Sequence, residues 1–500
     1  MITTEQPLFI GGQWQEPEDG YAEVIDPARL EVIGKAPMAS PAQAAQAVTA
    51  ARAAFESGPW PRLTRLERAD LLGRVAERLA QASDQGLVEL ESCNTGAPVR
   101  LATLLHVGGP VAHALHFAEL ARRPLDSALV PESTPYLGTS TILREPDGVC
   151  LGITPSNYPL LGAVWKTFPA LAAGCTVVVK AHELTWLSTG VLARLFEEAG
   201  FPPGVVNFLT GPGPTVGAAL AAHPSVDHVS VTGSVAVGRS VMAAAAPTLK
   251  KLTLELGGKS PNVILPDADL DIAIEGSLWA AFGHSGQMCT AGTRLLVPTE
   301  LRDEVVERLC AGASSITVGD PADWATDMGP VISRGAMDKV RHYVDLAVAE
   351  GATVATGGRP ANVDLPGFFY EPTVLAGVDN QSRVAQEEIF GPVLSVIDYA
   401  DVDEAVRLAN DSEFGLAAGV WSRDPERAWD VARRIRAGTV WINDWNMIPA
   451  DAPFGGYKQS GLGRELGMHG ILEYTQVKHV YTALAPRERR LYGVVVPPFK

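Results

Sequence analysis

Between Val149 and Gly257 the chain alternates short apolar runs with amphipathic stretches. "GVCLGITP", "TVVVKAH", "GVVNFLTG" and "VDHVSVTGS" are rich in β-branched residues and bounded by turn formers, and they read as buried strands. "LGAVWKTFPALAAG", "LSTGVLARLFEEAG" and "PTVGAALAAH" fall between them and read as helices, the first ending on Gly174. This rhythm predicts a parallel, doubly wound sheet with helices on both faces. Upstream, "LFIGGQW" and "AEVIDPARLEVIGKAP" predict short strands with Gly and Asp-Pro turns. "SPAQAAQAVTAARAAF" predicts a helix with Ser40 as N-cap and Pro41 at the first position, and "RLERADLLGRVAERLAQAS" predicts a second.

From Gly257 a further series begins, with "PNVILPDADLDIAIEGSLWAAF", "RDEVVERLCAGASSI", "MDKVRHYVDLAVAEG" and "DVDEAVRLAND". It predicts a second α/β unit packed on the first, because no Pro/Ser-rich linker separates them. Asp126 to Arg144 is polar, Pro-bearing and β-like. "VKHVYTAL" and "RLYGVVVPPFK" are β-like and apolar for a tail. An unpaired edge of that kind invites aggregation, so pairing with another subunit is expected.

Composition narrows the classes. A chain of 500 residues suggests roughly two to four domains. The net charge of −17 argues against nucleic acid and anionic membranes as partners. The five cysteines are widely spaced and form no CxxC, which predicts neither a disulfide framework nor a metal site, and points to a reducing, cytoplasmic setting. "MITTEQPLFIGGQW" lacks the basic and apolar regions of a signal peptide.

The candidate chemistry starts from "GHSGQMCTAGTR". Core cysteines usually sit among apolar neighbours, but Cys289 lies among Gly286, Gln287, Thr290 and Gly292. Such neighbours permit close approach of a substrate and leave N–H groups free for an oxyanion, although an inert thiol remains open on this evidence alone. His284 lies five residues upstream, but Cys–His pairs usually meet from distant segments. In "KLTLELGGKSP", Glu255 ends an apolar-faced strand before a tight turn. A general base and a solvated carboxylate are both compatible with that place. Asn157 in "TPSNYP" is a turn residue or an oxyanion donor. Two glycine turns are candidate phosphate sites: Gly211, Gly213 and Gly217 in "LTGPGPTVGAAL", and Gly233, Ser234 and Gly238 in "VSVTGSVAVGRSV". Their spacing does not rank them. Lys180 and Glu183 end the strand "VVVKAHE", where an acidic residue can bind ribose hydroxyls.

Together, "TPSNYP", "LELGGKSP", "GQMCTAGTR", "EEIFGPV" and "PFGGYKQSGLGRELG" resemble the NAD(P)-dependent aldehyde dehydrogenase superfamily over nearly the whole chain. The resemblance implies an α/β fold: a Rossmann-type cofactor domain (1–124 and 147–257), an α/β catalytic domain (258–475), and a β oligomerisation arm (125–146 and 476–500). It implies Cys289 as nucleophile, Asn157 with the Cys289 N–H as oxyanion hole, Glu255 as base for the hydrolytic water, and Lys166 with Glu465 as a supporting buried pair. It implies cofactor contacts at Ile153, Thr154, Pro155, Lys180, Glu183, Gly213, Gly233, Ser234, Leu256, Glu388 and Phe390. Ser234 makes the second glycine turn the better pyrophosphate site. Tyr158, Trp165 and Phe454 match positions that line the substrate tunnel, and Trp445 and Ile448 fall in the nearby loop as further substrate-binding candidates.

Two departures fall on the cofactor side. Ser156 stands where the family often has Trp, and Ala181-His182 where it often has Pro and Ser or Ala. The expected activity is hydrolytic oxidation of an aldehyde to its acid by a homodimer or homotetramer, with NAD preferred over NADP and no metal. An apolar or aromatic aldehyde is expected. "APVRLATLLHVGGPVAHALHF", beside the tunnel, has no Asp or Glu but carries Arg100 and three histidines. The alternatives are a betaine- or amino-aldehyde dehydrogenase, a CoA-acylating semialdehyde dehydrogenase, against which Glu255 speaks, and a non-catalytic binding protein on this fold.

Overall fold

The structure is a computed structural model that describes residues 6–129, 131 and 137–484. Local signals set the helix starts. Ser40 caps Pro41–Glu56 in a capping box with Gln43, and Thr64 does the same for Arg65–Ala82 with Glu67. Gly174 ends Pro159–Ala173 in a left-handed conformation.

One sheet has eight strands, in the order Gly461–Leu462, Lys251–Leu256, His228–Gly233, Val149–Ile153, Thr176–Ala181, Val206–Thr210, Leu8–Ile10 and Gln13–Gln15. Its five central strands are parallel. The chain winds one way from Val149–Ile153 and then returns to its other side at His228–Gly233. The crevice beyond the carboxyl ends at that switch is where ligands bind in such sheets. Residues 461–462 fall inside the range expected for the second unit, yet they pair with the edge of this sheet. Gly461 makes the pairing possible, since a β-carbon there would lie 1.9 Å from the Leu254 carbonyl oxygen.

The other large sheet has the order Thr353–Thr356, Thr373–Ala376, Val393–Tyr399, Arg294–Pro298, Pro261–Ile264, Ala417–Trp421 and Thr439–Ile442, parallel except for its first strand. Lys251–Leu256 runs through Gly257–Ser260 straight into Pro261–Ile264. The carboxyl ends of the first sheet therefore face the amino ends of the second. Separate apolar cores lie on the faces of the two sheets.

Gly138–Pro146 pairs antiparallel with Thr475–Ala483 and with Ser127–Ala128. The β-like readings of 126–144 and "VKHVYTAL" thus meet in one small sheet. "RLYGVVVPPFK" lies outside the described residues. Among the described residues, no helix is long and apolar enough to cross a membrane, and no three His, Cys, Asp or Glu groups are placed to hold a metal.

Candidate active site

The predicted residues arrive at one crevice because four strands end there. Asn157 follows Val149–Ile153, Lys180 closes Thr176–Ala181, Ser234 follows His228–Gly233, and Glu255 is the penultimate residue of Lys251–Leu256. Cys289 comes from the other side, in the connection between the helix Leu270–Phe282 and the strand Arg294–Pro298.

That connection is bent by three successive left-handed residues: His284, Ser285 and Gly286, with φ of 49°, 56° and 72°. Only a residue without a β-carbon fits at 286, where one would lie 2.2 Å from the Gly391 carbonyl oxygen. Ser285 Oγ donates to the Gly329 carbonyl at 2.8 Å, and the Ile332 N–H donates to Gln287 Oε1 at 2.9 Å. At Gly258 a β-carbon would meet the Cys289 carbonyl oxygen at 2.5 Å, so the nucleophile's backbone lies directly on the inter-sheet turn.

Cys289 is half-buried. Burial, reinforced by Glu255 and Glu388 and opposed by the N–H groups of Thr290 and Cys289, pushes the thiol up to about 12. Asn157 Nδ2 donates to the Gln287 carbonyl at 2.7 Å, which leaves its second N–H to donate elsewhere. Glu255 is buried with neither oxygen hydrogen-bonded to a protein group. Burial and then the charge of Glu465 push its carboxyl well above the usual carboxylate range, against the pull of Lys166 and Arg464. Lys166 Nζ donates to Glu465 Oε1 at 2.7 Å and to Ser230 Oγ at 3.2 Å. Gly152 gives Lys166 room, since a β-carbon there would lie 2.9 Å from the Lys166 β-carbon.

On one side of Cys289 the crevice is open and polar. Ser234 caps the helix Val235–Ala245, Gly233 precedes it, and Leu256 packs on Gly238 of that helix. Gly213 starts the neighbouring turn with no heavy atom within 4 Å of where a β-carbon would be. Lys180 Nζ and Glu183 Oε2 are 3.1 Å apart. Burial raises the Glu183 carboxyl, but Lys180, His182 and its hydrogen bonds outweigh this and hold it below the usual range. Ile153 and Pro155 border the crevice between these groups. The Thr154 hydroxyl there is buried without a protein partner. Glu388 accepts from the Gly258 N–H at 3.2 Å, and Phe390 is held in a left-handed conformation two residues on. A helix N-terminus, an ionised carboxylate at a strand end and an unengaged buried hydroxyl suit pyrophosphate, ribose and amide groups of a dinucleotide.

On the other side the walls are rings. Trp165 and Phe454 lie with centroids 5.4 Å apart. Trp165 Nε1 donates to His113 Nδ1 at 2.7 Å, and the two rings stack. Burial brings His113 down to about 4, so it is neutral. Tyr158 and Ile448 are half-buried beside these rings. Trp445 is placed differently. It is buried against Trp441, Ala280 and the backbone of Gly292 and Gly419, behind the cysteine loop.

The aldehyde dehydrogenase family model matches residues 14–480. The chain belongs to the aldehyde dehydrogenase family. It is 44% identical over 486 residues to the betaine aldehyde dehydrogenase of Bacillus subtilis (strain 168), covering 96% of this chain and 98% of that one. It is 42% identical over 477 residues to human retinal dehydrogenase 2, covering 95% and 91%. The crystal structure of a betaine aldehyde dehydrogenase from Staphylococcus aureus in complex with NAD+ matches with a TM-score of 0.94 at 40% identity, covering 97% of this chain and 96% of that one. The NAD+ complex of a Bacillus cereus aldehyde dehydrogenase matches with a TM-score of 0.93 at 40% identity, covering 97% and 98%. The chain is thus an NAD-dependent dehydrogenase that oxidises aldehydes to acids.

Sequence reasoning weighed His284 only as a partner for Cys289 and did not single out His106 or Glu91. His284 makes no pair with Cys289; its Nε2 lies 3.1 Å from the Asn157 carbonyl oxygen. His106 and Glu91 are buried behind it. The sequence signal was faint: a glutamate at a core position of the helix Val88–Thr95, where a charge needs a partner.

Proposed function

We propose that this dehydrogenase acts on a neutral aldehyde with an apolar or aromatic body, by covalent catalysis at Cys289. The observation that carries the substrate reading is the neutral Trp165–His113 pair within an aromatic wall. The helical stretch beside it, Val99–Phe117, supplies no carboxylate. The nearest acids of the facing loop, Asp444 and Asp451, are exposed, and Asp451 is engaged with His116 at 3.3 Å. Burial of a phenyl-sized group there contributes roughly 2–3 kcal/mol.

The thiolate of Cys289 attacks the carbonyl carbon, and the oxygen becomes an alkoxide that accepts hydrogen bonds from Asn157 Nδ2 and the Cys289 N–H. NAD, bound across Lys180–Glu183, Gly213, Gly233–Ser234 and Glu388, supplies the hydride acceptor. Collapse of the alkoxide expels hydride from the former aldehyde carbon and leaves a thioester on Cys289. Glu255 then takes a proton from water as the water oxygen attacks the thioester, and Lys166 with Glu465 carries that proton onward. The acid departs and the thiol is restored.

Among the described residues the outer edge of Thr475–Ala483 is unpaired, with Val477 and Tyr481 exposed, which supports assembly with further copies of the chain. Five free cysteines support a reducing, cytoplasmic setting. The two sheets divide the work as cofactor and catalytic units. The rival substrate is a quaternary-ammonium aldehyde. The betaine aldehyde dehydrogenases among the relatives favour it, as does the capacity of ring walls to hold such a cation. Catalytic efficiency with phenylacetaldehyde or a medium-chain alkanal, compared with betaine aldehyde and aminoaldehydes, decides. The neutral reading expects the first group to lead, and a lead of about tenfold for the cations, about 1.4 kcal/mol in the transition state, overturns it.

A further inference from the structure

Behind Asn157 lies a buried polar layer that the chemistry above does not use. Glu91 Oε2, from the helix Val88–Thr95, is 3.1 Å from His106 Nδ1. His106 sits in the π-helical turn Ala102–Gly108, a local widening that often marks functional positions. The His106 ring is 4.4 Å from the Tyr158 ring and 4.8 Å from the His284 ring, and the last two are 5.2 Å apart. His284 then reaches the Asn157 carbonyl oxygen at 3.1 Å.

The protonation states follow from burial. Desolvation lifts the Glu91 carboxyl to about 8, against a hydrogen bond from Ser188. It brings His106 down to about 3, and it holds His284 well below its ordinary value, with His106 adding to the effect. At neutral pH all three are uncharged. Glu91 and His106 therefore meet as neutral partners in one hydrogen bond at 3.1 Å. A carbonyl only accepts, so His284 carries its proton on Nε2 and donates to Asn157.

Asn157 is consequently held at both ends by one segment. Its side chain donates to the Gln287 carbonyl, and its main-chain carbonyl accepts from His284. That segment includes the three left-handed residues 284–286. Such a conformation persists only where the surroundings over-determine it, and the edge-on contact of His284 with His106 and its tilted contact with Tyr158 supply part of that determination.

We infer that Glu91, His106 and His284 are positioning residues that aim the Asn157 amide at the alkoxide. The inference rests on the reading of Asn157 as an oxyanion donor. Both the acylation and the hydrolysis step pass through an alkoxide, so misaiming lowers kcat and leaves ground-state binding alone. Removing an oxyanion donor costs about 10²–10³ in kcat. Misplacing one by about an ångström costs up to about 10².

The test uses the full-length enzyme with saturating NAD and one aldehyde. His284→Phe keeps a ring but loses the donor. Its kcat is expected to fall about 10- to 100-fold, with KM for the aldehyde, NADH affinity and the thermal midpoint unchanged. His284→Asn tolerates the left-handed backbone and is expected to show the same loss, which covers a failure of the Phe variant to fold. Glu91→Gln keeps a neutral hydrogen-bonding partner for His106 and is expected to stay within about twofold, while Glu91→Leu falls with His284→Phe. The inference is overturned by a kcat near wild type in both His284 variants. It is also overturned if Glu91→Gln is as damaged as Glu91→Leu, or if each loss tracks the thermal midpoint. Asn157→Ala separates the two levels. An unchanged kcat there removes the oxyanion reading itself, whereas a large fall there beside an intact His284→Phe removes only the relay.

Discussion

The two approaches to Cys289 are built from different materials. On the side proposed for the cofactor, groups are charged or aimed outward: Lys180 against Glu183, Glu388 on the Gly258 N–H, and the capped helix start at Ser234. On the side proposed for the aldehyde, Trp165 donates to neutral His113 and packs on Phe454, and Tyr158 lies against neutral His106. Directional polar groups select a cofactor by hydrogen bonds and charge. An aromatic wall selects a substrate by area and dryness. The two kinds of selectivity should therefore be separable by mutation, with only the central residues common to both.

The largest effect is expected at the centre. Cys289→Ala should abolish dehydrogenation while the chain still binds NADH, followed by fluorescence. A residual rate of about a tenth would break the covalent assignment. Glu255→Gln comes next, with a steady-state rate lower by about 10²-fold while a burst of NADH survives, because a water base acts only after hydride has left. The pH profile carries the same sign for both groups. Glu255 and Cys289 act deprotonated, and both are shifted upward, so activity should be low in acid and keep climbing as pH rises into the alkaline range, towards the thiol at about 12. A rate that declines over that range would contradict both roles.

The flanks sharpen the comparison. Trp165→Ala should lower kcat/KM for an aromatic aldehyde by about 10- to 100-fold, from roughly 2–3 kcal/mol of lost burial, with KM for NAD unchanged. Glu183→Gln should do the converse and more weakly. It removes the charge that repels a 2′-phosphate and narrows the NAD preference by about tenfold, leaving KM for the aldehyde alone. Burial lowers the His182 pKa, which weakens that ring's offset of the Glu183 charge in the parent. A crossed result, with either variant altering the other ligand, would show that the flanks are coupled.

Local signals in the sequence were legible in proportion to how local they are. Ser40 and Gly174 act on neighbours a few residues away, and their helices start and stop where they indicate. The strand–helix alternation after Val149 likewise gives the parallel sheet, since each run is buried on both faces. Contacts between distant segments were not legible. His284 meets Asn157 across 127 positions, and no pattern in "GHSGQMC" announces it. The pairing of Gly461 with Glu255 depends on a close approach that the glycine permits but does not demand. Trp445 illustrates the same limit. Its neighbours Asn443 and Asn446 are both left-handed, and this turn carries the indole behind the cysteine loop.

The turn between the two sheets has a consequence for inheritance. A β-carbon at Gly257 would lie 2.4 Å from a Glu388 carboxylate oxygen, and one at Gly258 would lie 2.5 Å from the Cys289 carbonyl oxygen. Glycine and alanine codons differ by a single base, so even the smallest side chain a mutation can add at either position pushes on Glu388 or on the backbone of Cys289. Neither glycine takes part in a chemical step, yet alanine at either is expected to be tolerated as poorly as loss of the cysteine itself.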